Sequence, residues 1–133
     1  MAVDRIQPGD CVLSKNVETG ELAYKPVLHT TQRSDAGVRT VRVEAETWLA
    51  SLGHQFWISG QGWRRVNQLN EPTRAHTVTG TAIVTTEYVG EKQDVFNLVV
   101  ADFHTYFVGT SMVLSHDVLT PEPTDAKVPG LAP

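Results

Sequence analysis

Ser51 and His54 lie three residues apart, just before the aromatic pair Phe56 and Trp57. An amide is a poor electrophile until its nitrogen is protonated and its carbonyl oxygen is polarised, and an imidazole beside a short hydroxyl can supply both effects. A single histidine between a glycine and an aromatic strand is nevertheless more often a structural residue. The pair alone therefore does not establish a catalytic site.

A second polar group lies near the C-terminal end of the chain. Two apolar runs flank Asp102 and His104, and the second run closes at His116 and Asp117. This pattern predicts a strand, a tight polar turn and a second strand that ends at a histidine. Because aspartate is common in turns, Asp102 more readily shapes the turn than takes part in chemistry.

The rest of the chain predicts an all-β domain, since turn signals recur every eight to twelve residues between β-branched runs. We expect at most one short helix, over Arg64 to Leu69. The turn at residues 6–10, with Pro8 and Gly9, precedes the first strand, and residues 16–21 form a hairpin connection. The expected strands cover residues 11–14, 22–28, 38–43, 76–79 and 81–88, with a polar turn at 33–37.

Several motifs of the chain, in this order, resemble those of the Hint (hedgehog/intein) superfamily, of the pretoxin and intein type. The resemblance spans residues 6–117 and implies the Hint fold, a pseudo-twofold, horseshoe-like β domain. It assigns residues 1–119 to a Hint domain that lacks the N-terminal nucleophile strand. Residues 120–133 carry four prolines and are expected from this composition to form a flexible tail. The motifs are Gly9-Asp10-Cys11-Val12-Leu13, Tyr24-Lys25-Pro26-Val27, Ser51 with His54, Phe96-Asn97-Leu98, His104-Thr105-Tyr106-Phe107-Val108 and His116-Asp117.

The resemblance also implies roles for individual residues. Ser51 and His54 would contact the scissile amide, His104 would act as an acid, a base or an orienting group, and His116 would assist cleavage at the C-terminal junction. The implied catalytic residues are Ser51, His54, His104, His116 and Asp117, and the implied site-shaping residues are Asn97 and Asp102.

The chain departs from the pattern of the superfamily at several positions. No cysteine or serine precedes the Gly9-Asp10 motif on a first strand, and Cys11, which lies inside that motif, is interpreted as a small packing residue. Ser51 replaces a threonine, and Asn97 stands where some inteins carry an aspartate. Asp117 and Val118 replace the terminal asparagine and the acyl acceptor, so full splicing by this chain alone is not expected.

Two functions of different classes remain. The first is autocatalytic cleavage or splicing of a larger polypeptide, by a domain that is truncated or inactive in this chain. The second is a non-catalytic β domain that uses the Hint scaffold for binding or linking. A cysteine upstream in the precursor would favour the first.

Composition limits the partners. The 133 residues, 41% of them hydrophobic, are enough for one domain, and the net charge of −4 without a basic patch argues against nucleic acid. One cysteine excludes an internal disulfide, and no apolar run is long enough to cross a membrane.

We expect a monomer without a cofactor, whose partners are flanking segments of its own precursor. The localisation stays open, with a secreted or cell-surface precursor as one option. A metal site is the weakest alternative, because no ligand spacing connects the five histidines His29, His54, His76, His104 and His116.

Overall fold

The computed structural model describes residues 5–117, and this part of the chain is built almost entirely from strands. A short 3-10 segment, Val66–Gln68, lies between β6 and β7, and the all-β prediction is confirmed. The strands are β1 (Cys11–Lys15), β2 (Leu22–Ala36), β3 (Val38–Val43), β4 (Glu46–Ser51), β5 (Gln55–Ile58), β6 (Gly62–Arg65), β7 (Thr73–His76), β8 (Thr81–Tyr88), β9 (Gln93–Val100), β10 (Thr105–Val108) and β11 (Val113–His116).

The strands form two antiparallel sheets. The smaller sheet has the order β1-β2-β9, and the larger has the order β10-β11-β5-β7-β8-β3-β4, with β6 paired to β5. Thr105 connects the two, because its hydroxyl accepts the Lys15 N–H at 2.9 Å and donates to the Lys15 carbonyl at 2.7 Å. The start of β10 is thereby fixed to the end of β1.

Two apolar clusters stabilise this arrangement. The larger cluster fills the inner face of the eight-stranded sheet and includes Phe56, Ile58 and Val84. The smaller lies under the three-stranded sheet and includes Leu98, Val100 and Tyr106. Burial of these side chains holds β9 of the smaller sheet against β10 of the larger sheet, where the polar residues of interest lie.

The predicted turns at the N-terminal end are confirmed. The Asp10 N–H donates to the Gln7 carbonyl at 3.0 Å, and Gly9 supplies the positive φ of 96° that this turn requires. The hairpin connection of residues 16–21 is closed by the Asn16 N–H, which lies 2.9 Å from the Glu21 carbonyl.

The expected helix over Arg64 to Leu69 is wrong in its first two residues. Arg64 and Arg65 belong to β6, because Gly60 and Gly62 allow a tight turn that returns the chain along β5. Trp57 and Trp63 then pair across the two strands, with ring centroids 5.2 Å apart. Only the single 3-10 segment of residues 66–68 remains of the helix.

Other boundaries also differ. The polar turn expected at residues 33–37 is a bulge within β2, where Asp35 has a φ of 60°, and β2 continues to Ala36 because β9 pairs with it over that length. The strand expected at 76–79 ends at His76, since the Thr77 N–H and hydroxyl close a turn onto Gly80. Cys11 is exposed rather than packed. The predicted tail, residues 120–133, lies outside the described residues.

Over residues 5–117, no helix has the length and apolar character that crossing a membrane requires.

Replacing Phe56 with alanine should lower the free energy of unfolding by about 3–5 kcal/mol, because this fully buried ring would leave a cavity in the larger cluster. Tyr88→Ala is the matched control, since Tyr88 is 75% exposed on β8. Urea unfolding followed by tryptophan fluorescence measures both. A loss for Phe56→Ala no larger than that for Tyr88→Ala would contradict the position of Phe56 in the core.

Candidate active site

A cavity of about 1140 Å³ is lined by residues of β4 and β10 of the larger sheet and of β9 of the smaller sheet. Ser51, His54, Asn97 and Tyr106 contribute polar groups to its lining, and Phe96 is among its apolar residues. Within residues 5–117, β4 pairs only with β3 and β9 pairs only with β2, so both strands keep one unpaired edge. The cavity therefore combines apolar walls, a few polar groups and two strand edges with unpaired backbone.

The turn after β4 positions Ser51 and His54. The His54 N–H donates to the Ser51 carbonyl at 3.1 Å, which brings the two residues close together. The 3-10 segment supports this turn from outside, because the Val66 N–H donates to the His54 carbonyl at 2.8 Å. The ring of His54 packs edge-on against Phe56, at 5.1 Å between centroids. The predicted Ser51 and His54 pair is thus placed on the wall of the cavity.

The imidazole of His54 has one hydrogen-bond partner among the described residues, the hydroxyl of Ser115 on β11, which its Nε2 contacts. Burial, and secondarily the positive charge of His116, lower the pKa of His54 from 6.5 to about 4. His54 is therefore a neutral imidazole near pH 7.

Ser115 lies directly opposite Tyr106 in the pairing of β10 with β11. The phenol of Tyr106 donates to the side-chain oxygen of Asn97 on β9, in the smaller sheet. Burial raises the pKa of Tyr106 well above its ordinary value, and the Asp117 charge adds to this against the lowering effect of Ser115. The phenol therefore stays protonated.

Asp117 is the centre of a second group of polar residues. Its side chain is fully buried, and Oδ2 accepts the Val100 N–H at 2.8 Å and contacts His104 Nδ1 at 3.0 Å. His116 Nδ1 lies 3.5 Å from the other carboxylate oxygen and donates to the backbone carbonyl of Asp117 at 2.8 Å. Both predicted histidines thus flank the predicted carboxylate.

The pKa of His116 responds to two opposing effects. Burial would lower it, but the hydrogen bonds to the Asp117 side chain and backbone, together with the carboxylate charge, raise it above 6.5 overall. Trp63 packs edge-on against the ring at 4.8 Å between centroids. His116 is therefore more protonated at neutral pH than an ordinary histidine.

Asp102 lies apart from these groups. Its side chain is 64% exposed and forms an ion pair with Lys25 at 3.0 Å. Its φ of 64° places it in the turn between β9 and β10, where His104 has a φ of 56°. This position agrees with a role in the shape of the turn, which carries His104 to Asp117.

Ser115 and Tyr106 were not among the predicted site residues. The available signal was weak: a serine in the apolar strand Val113-Leu114-Ser115 predicts a buried hydroxyl that needs a partner, but not which partner. Over residues 5–117, no group of three or more histidine, cysteine, aspartate or glutamate side chains is arranged to hold a metal ion.

Comparison with known proteins identifies the family. The family model described as the pretoxin HINT domain matches residues 1–120. The chain belongs to the pretoxin Hint domain family. Among curated proteins, none is similar enough to count as a match.

Solved structures agree with this assignment. The Hint domain described here is similar to a bacterial intein-like domain from Clostridium thermocellum, with 30% identity, 87% of each chain covered and a TM-score of 0.78. It is also similar in fold to the DnaB intein from Synechocystis sp. PCC 6803, with 18% identity, 85% and 82% of the two chains covered and a TM-score of 0.69. For the gp41-1 intein the values are 19% identity, 87% and 86% coverage and a TM-score of 0.68. The last two likenesses concern the fold alone. The expected Hint fold is confirmed.

The pH dependence of this Hint domain tests the state of His54. Because its folded pKa of about 4 lies below the ordinary 6.5, the unfolded chain binds a proton first as the pH falls, so His54 destabilises the fold progressively between these values. His54→Gln removes this contribution. The stability advantage of the wild type over His54→Gln should therefore shrink between pH 6.5 and pH 4 in urea unfolding.

An NMR titration of the His54 ring should have its midpoint near pH 4. Parallel stability profiles of wild type and variant, together with a midpoint at the ordinary histidine value, would contradict a buried neutral imidazole.

Proposed function

We propose that this Hint domain promotes cleavage of its own polypeptide at the peptide bond after Asp117, and that the reaction is slow with an aspartate at this position. The observation that carries the proposal is the 2.8 Å hydrogen bond from His116 Nδ1 to the backbone carbonyl of Asp117. That carbonyl belongs to the bond that would break. A donor fixed on it polarises the carbonyl and stabilises the negative charge that develops during attack.

The side chain of Asp117 would be the attacking group, and its chemistry sets the rate. An asparagine here could attack its own carbonyl carbon through Nδ2, which closes a five-membered succinimide. The bond to residue 118 then breaks, Nδ2 loses one proton, and the departing nitrogen gains one. A carboxylate that adds to the same carbon is a better leaving group than the amine of residue 118, so the intermediate returns to the intact amide. Cleavage of the natural sequence is accordingly slow.

The cavity is the proposed position of a second segment of the precursor. An extended segment can pair with the unpaired edges of β4 and β9 and bury apolar side chains against residues such as Trp48 and Phe96. Ser51 and His54 lie on the wall of that cavity and would contact an amide of this segment. In this role they would polarise and protonate the amide. The flanking segments of the precursor are thus the partners of the domain, which we expect to be monomeric.

A second candidate function rests on the satisfied carboxylate of Asp117. Its hydrogen bonds to Val100 and His104 are those of a structural residue, which favours a non-catalytic Hint scaffold whose cavity binds a polypeptide segment. The two candidate functions differ in one outcome. If the domain is a non-catalytic scaffold, no substitution at position 117 leads to cleavage.

Asp117→Asn should raise the rate of cleavage after residue 117, because it supplies the amide nitrogen that closes the ring. Adding His116→Ala should remove most of the gain, a loss of about 100-fold if His116 acts in the transition state. Both rates are measured by incubating the full 133-residue chain and its variants and following the cleavage fragments by mass spectrometry.

Asp102→Asn is the matched control, since it makes the same substitution on an exposed turn and should leave the rate unchanged. Thermal unfolding checks that each variant is folded. Rapid cleavage of the parent chain, or an intact and folded Asp117→Asn variant, would rule out cleavage assisted by His116 and Asp117 and leave the binding scaffold.

A further inference from the structure

Asn97 lies on β9, and its side chain contributes to the lining of the cavity. Its backbone is fixed by the pairing of β9 with β2, where Asn97 lies opposite Thr31. The side-chain amide of an asparagine has an oxygen that accepts and a nitrogen that donates, and a half turn of the amide group exchanges their positions. The atom that is left for the cavity determines which kind of group Asn97 can bind there.

Two donors fix the orientation of this amide. The backbone N–H of Leu98 donates to Oδ1 at 2.8 Å, and the phenol of Tyr106 donates to the same atom. A backbone N–H can only donate, so the atom that it contacts must be the amide oxygen. A half turn would place the Nδ2 hydrogens against the Leu98 N–H and leave that donor without an acceptor. The oxygen of Asn97 is therefore committed to groups of the protein.

The amide nitrogen is the part of the side chain that remains for a ligand. Within residues 5–117, Nδ2 has no hydrogen-bond partner in the protein. The buried side-chain nitrogens without a partner in this part of the chain belong to Arg39 and Trp48, so Nδ2 is accessible. The accessible space beside Asn97 is the cavity that the residue lines. Asn97 therefore presents an unused hydrogen-bond donor to the cavity.

Tyr106 does not compete with Asn97 as a donor. It also lines the cavity, but its single phenol hydrogen is donated to Asn97 Oδ1. Burial raises the pKa of Tyr106, so the phenol keeps this hydrogen at neutral pH. The pair of Asn97 and Tyr106 thus offers its Nδ2 hydrogens to the cavity and no hydroxyl hydrogen.

We propose that Asn97 binds the carbonyl oxygen of a peptide group in the cavity, through a hydrogen bond that Nδ2 donates. A peptide nitrogen carries a hydrogen and does not accept, so the carbonyl oxygen is the atom of a peptide group that this donor can bind. The apolar walls around Nδ2 strengthen such a hydrogen bond, because they lower the local dielectric constant.

The consequence for chemistry rests on the proposed function, in which the cavity holds an extended segment of the precursor. Asn97 belongs to the smaller sheet, whereas Ser51 belongs to the larger sheet and His54 to the turn that follows it. The segment would therefore be bound from both sheets. A donor on the carbonyl oxygen stabilises the negative charge that develops there when the carbonyl carbon is attacked. Asn97 would polarise the carbonyl, and His54 would remain for the amide nitrogen.

A titration with N-methylacetamide, a small molecule with one secondary amide, tests the donor directly. The full 133-residue chain is labelled with ¹⁵N and followed by NMR, and the side-chain NH₂ signals of Asn97 are assigned by their loss in Asn97→Asp. We expect these signals to move downfield and to reach a plateau. Asn16 is the internal control, because its Oδ1 also accepts two backbone N–H groups, at 2.9 and 3.2 Å, but in an exposed hairpin connection.

Asn97→Asp separates the donor from the structural role of the residue. The carboxylate keeps an oxygen that accepts from Leu98 and Tyr106, but its second oxygen repels a carbonyl oxygen at the place of Nδ2. Thermal unfolding should show a folded protein. N-methylacetamide, followed at the backbone amides of the cavity wall, should bind about tenfold more weakly, as expected for one lost hydrogen bond. Asn16→Asp makes the same substitution away from the cavity and should bind the probe like the wild type.

The proposal would be overturned by wild-type Asn97 signals that change only in proportion to the probe, as those of Asn16 should. A folded Asn97→Asp protein that binds N-methylacetamide as tightly as the wild type would also overturn it. If Asn97→Asp does not fold, the wild-type titration decides alone. The titration involves no cleavage, so an intact Asp117→Asn chain would end the proposed cleavage without affecting it. A failed titration beside a cleaving Asp117→Asn chain would end the role of Asn97 alone.

Discussion

The buried carboxylate of Asp117 is the constraint on which the site depends. Removing a carboxylate from water costs several kcal/mol unless hydrogen bonds replace the lost hydration. Here the hydrogen bonds to Asp117 come from Val100, the last residue of β9, and from His104, at the end of the turn that follows β9. The ends of β9 and β11 and the start of β10 must therefore meet at one point. The positive φ values of Asp102 and His104 are the backbone conformations that bring the turn there.

The position of Asp117 also determines the course of β11. With Asp117 fixed, β11 runs back between β10 and β5, and Ser115 faces both Tyr106 and Phe56 in the strand register. Ser115 is the only hydroxyl of the short strand β11, and an apolar residue in its place would leave His54 Nε2 without this partner.

The features that sequence predicts well are those fixed by neighbouring residues. Pro8 with Gly9 sets a turn through local backbone geometry, and the hairpin of residues 16–21 follows from the same chemistry. The length of β2 was not predictable in this way, because its polar second half is a strand only through pairing with β9, about sixty residues away. His54 and His116 were found by motif. The contact between His54 and Ser115 becomes visible only once the pairing of β11 with β5 is known.

His54 and His116 are partly buried histidines with opposite electrostatic environments, although their partners, Ser115 and Asp117, lie only two residues apart in the chain. Successive side chains of a strand point to opposite faces, so Ser115 meets His54 on one face while His116 meets Asp117 on the other. Burial lowers the pKa of both rings, and the partner decides the outcome: a neutral hydroxyl leaves the pKa of His54 low, whereas a carboxylate raises that of His116. The positive charge of His116 lowers the pKa of His54 further, so each state reinforces the other. A protonated ring at the Asp117 carbonyl suits stabilisation of negative charge, and a neutral ring at the cavity suits acceptance of a proton. One strand therefore separates the two kinds of proton chemistry that breaking a peptide bond requires.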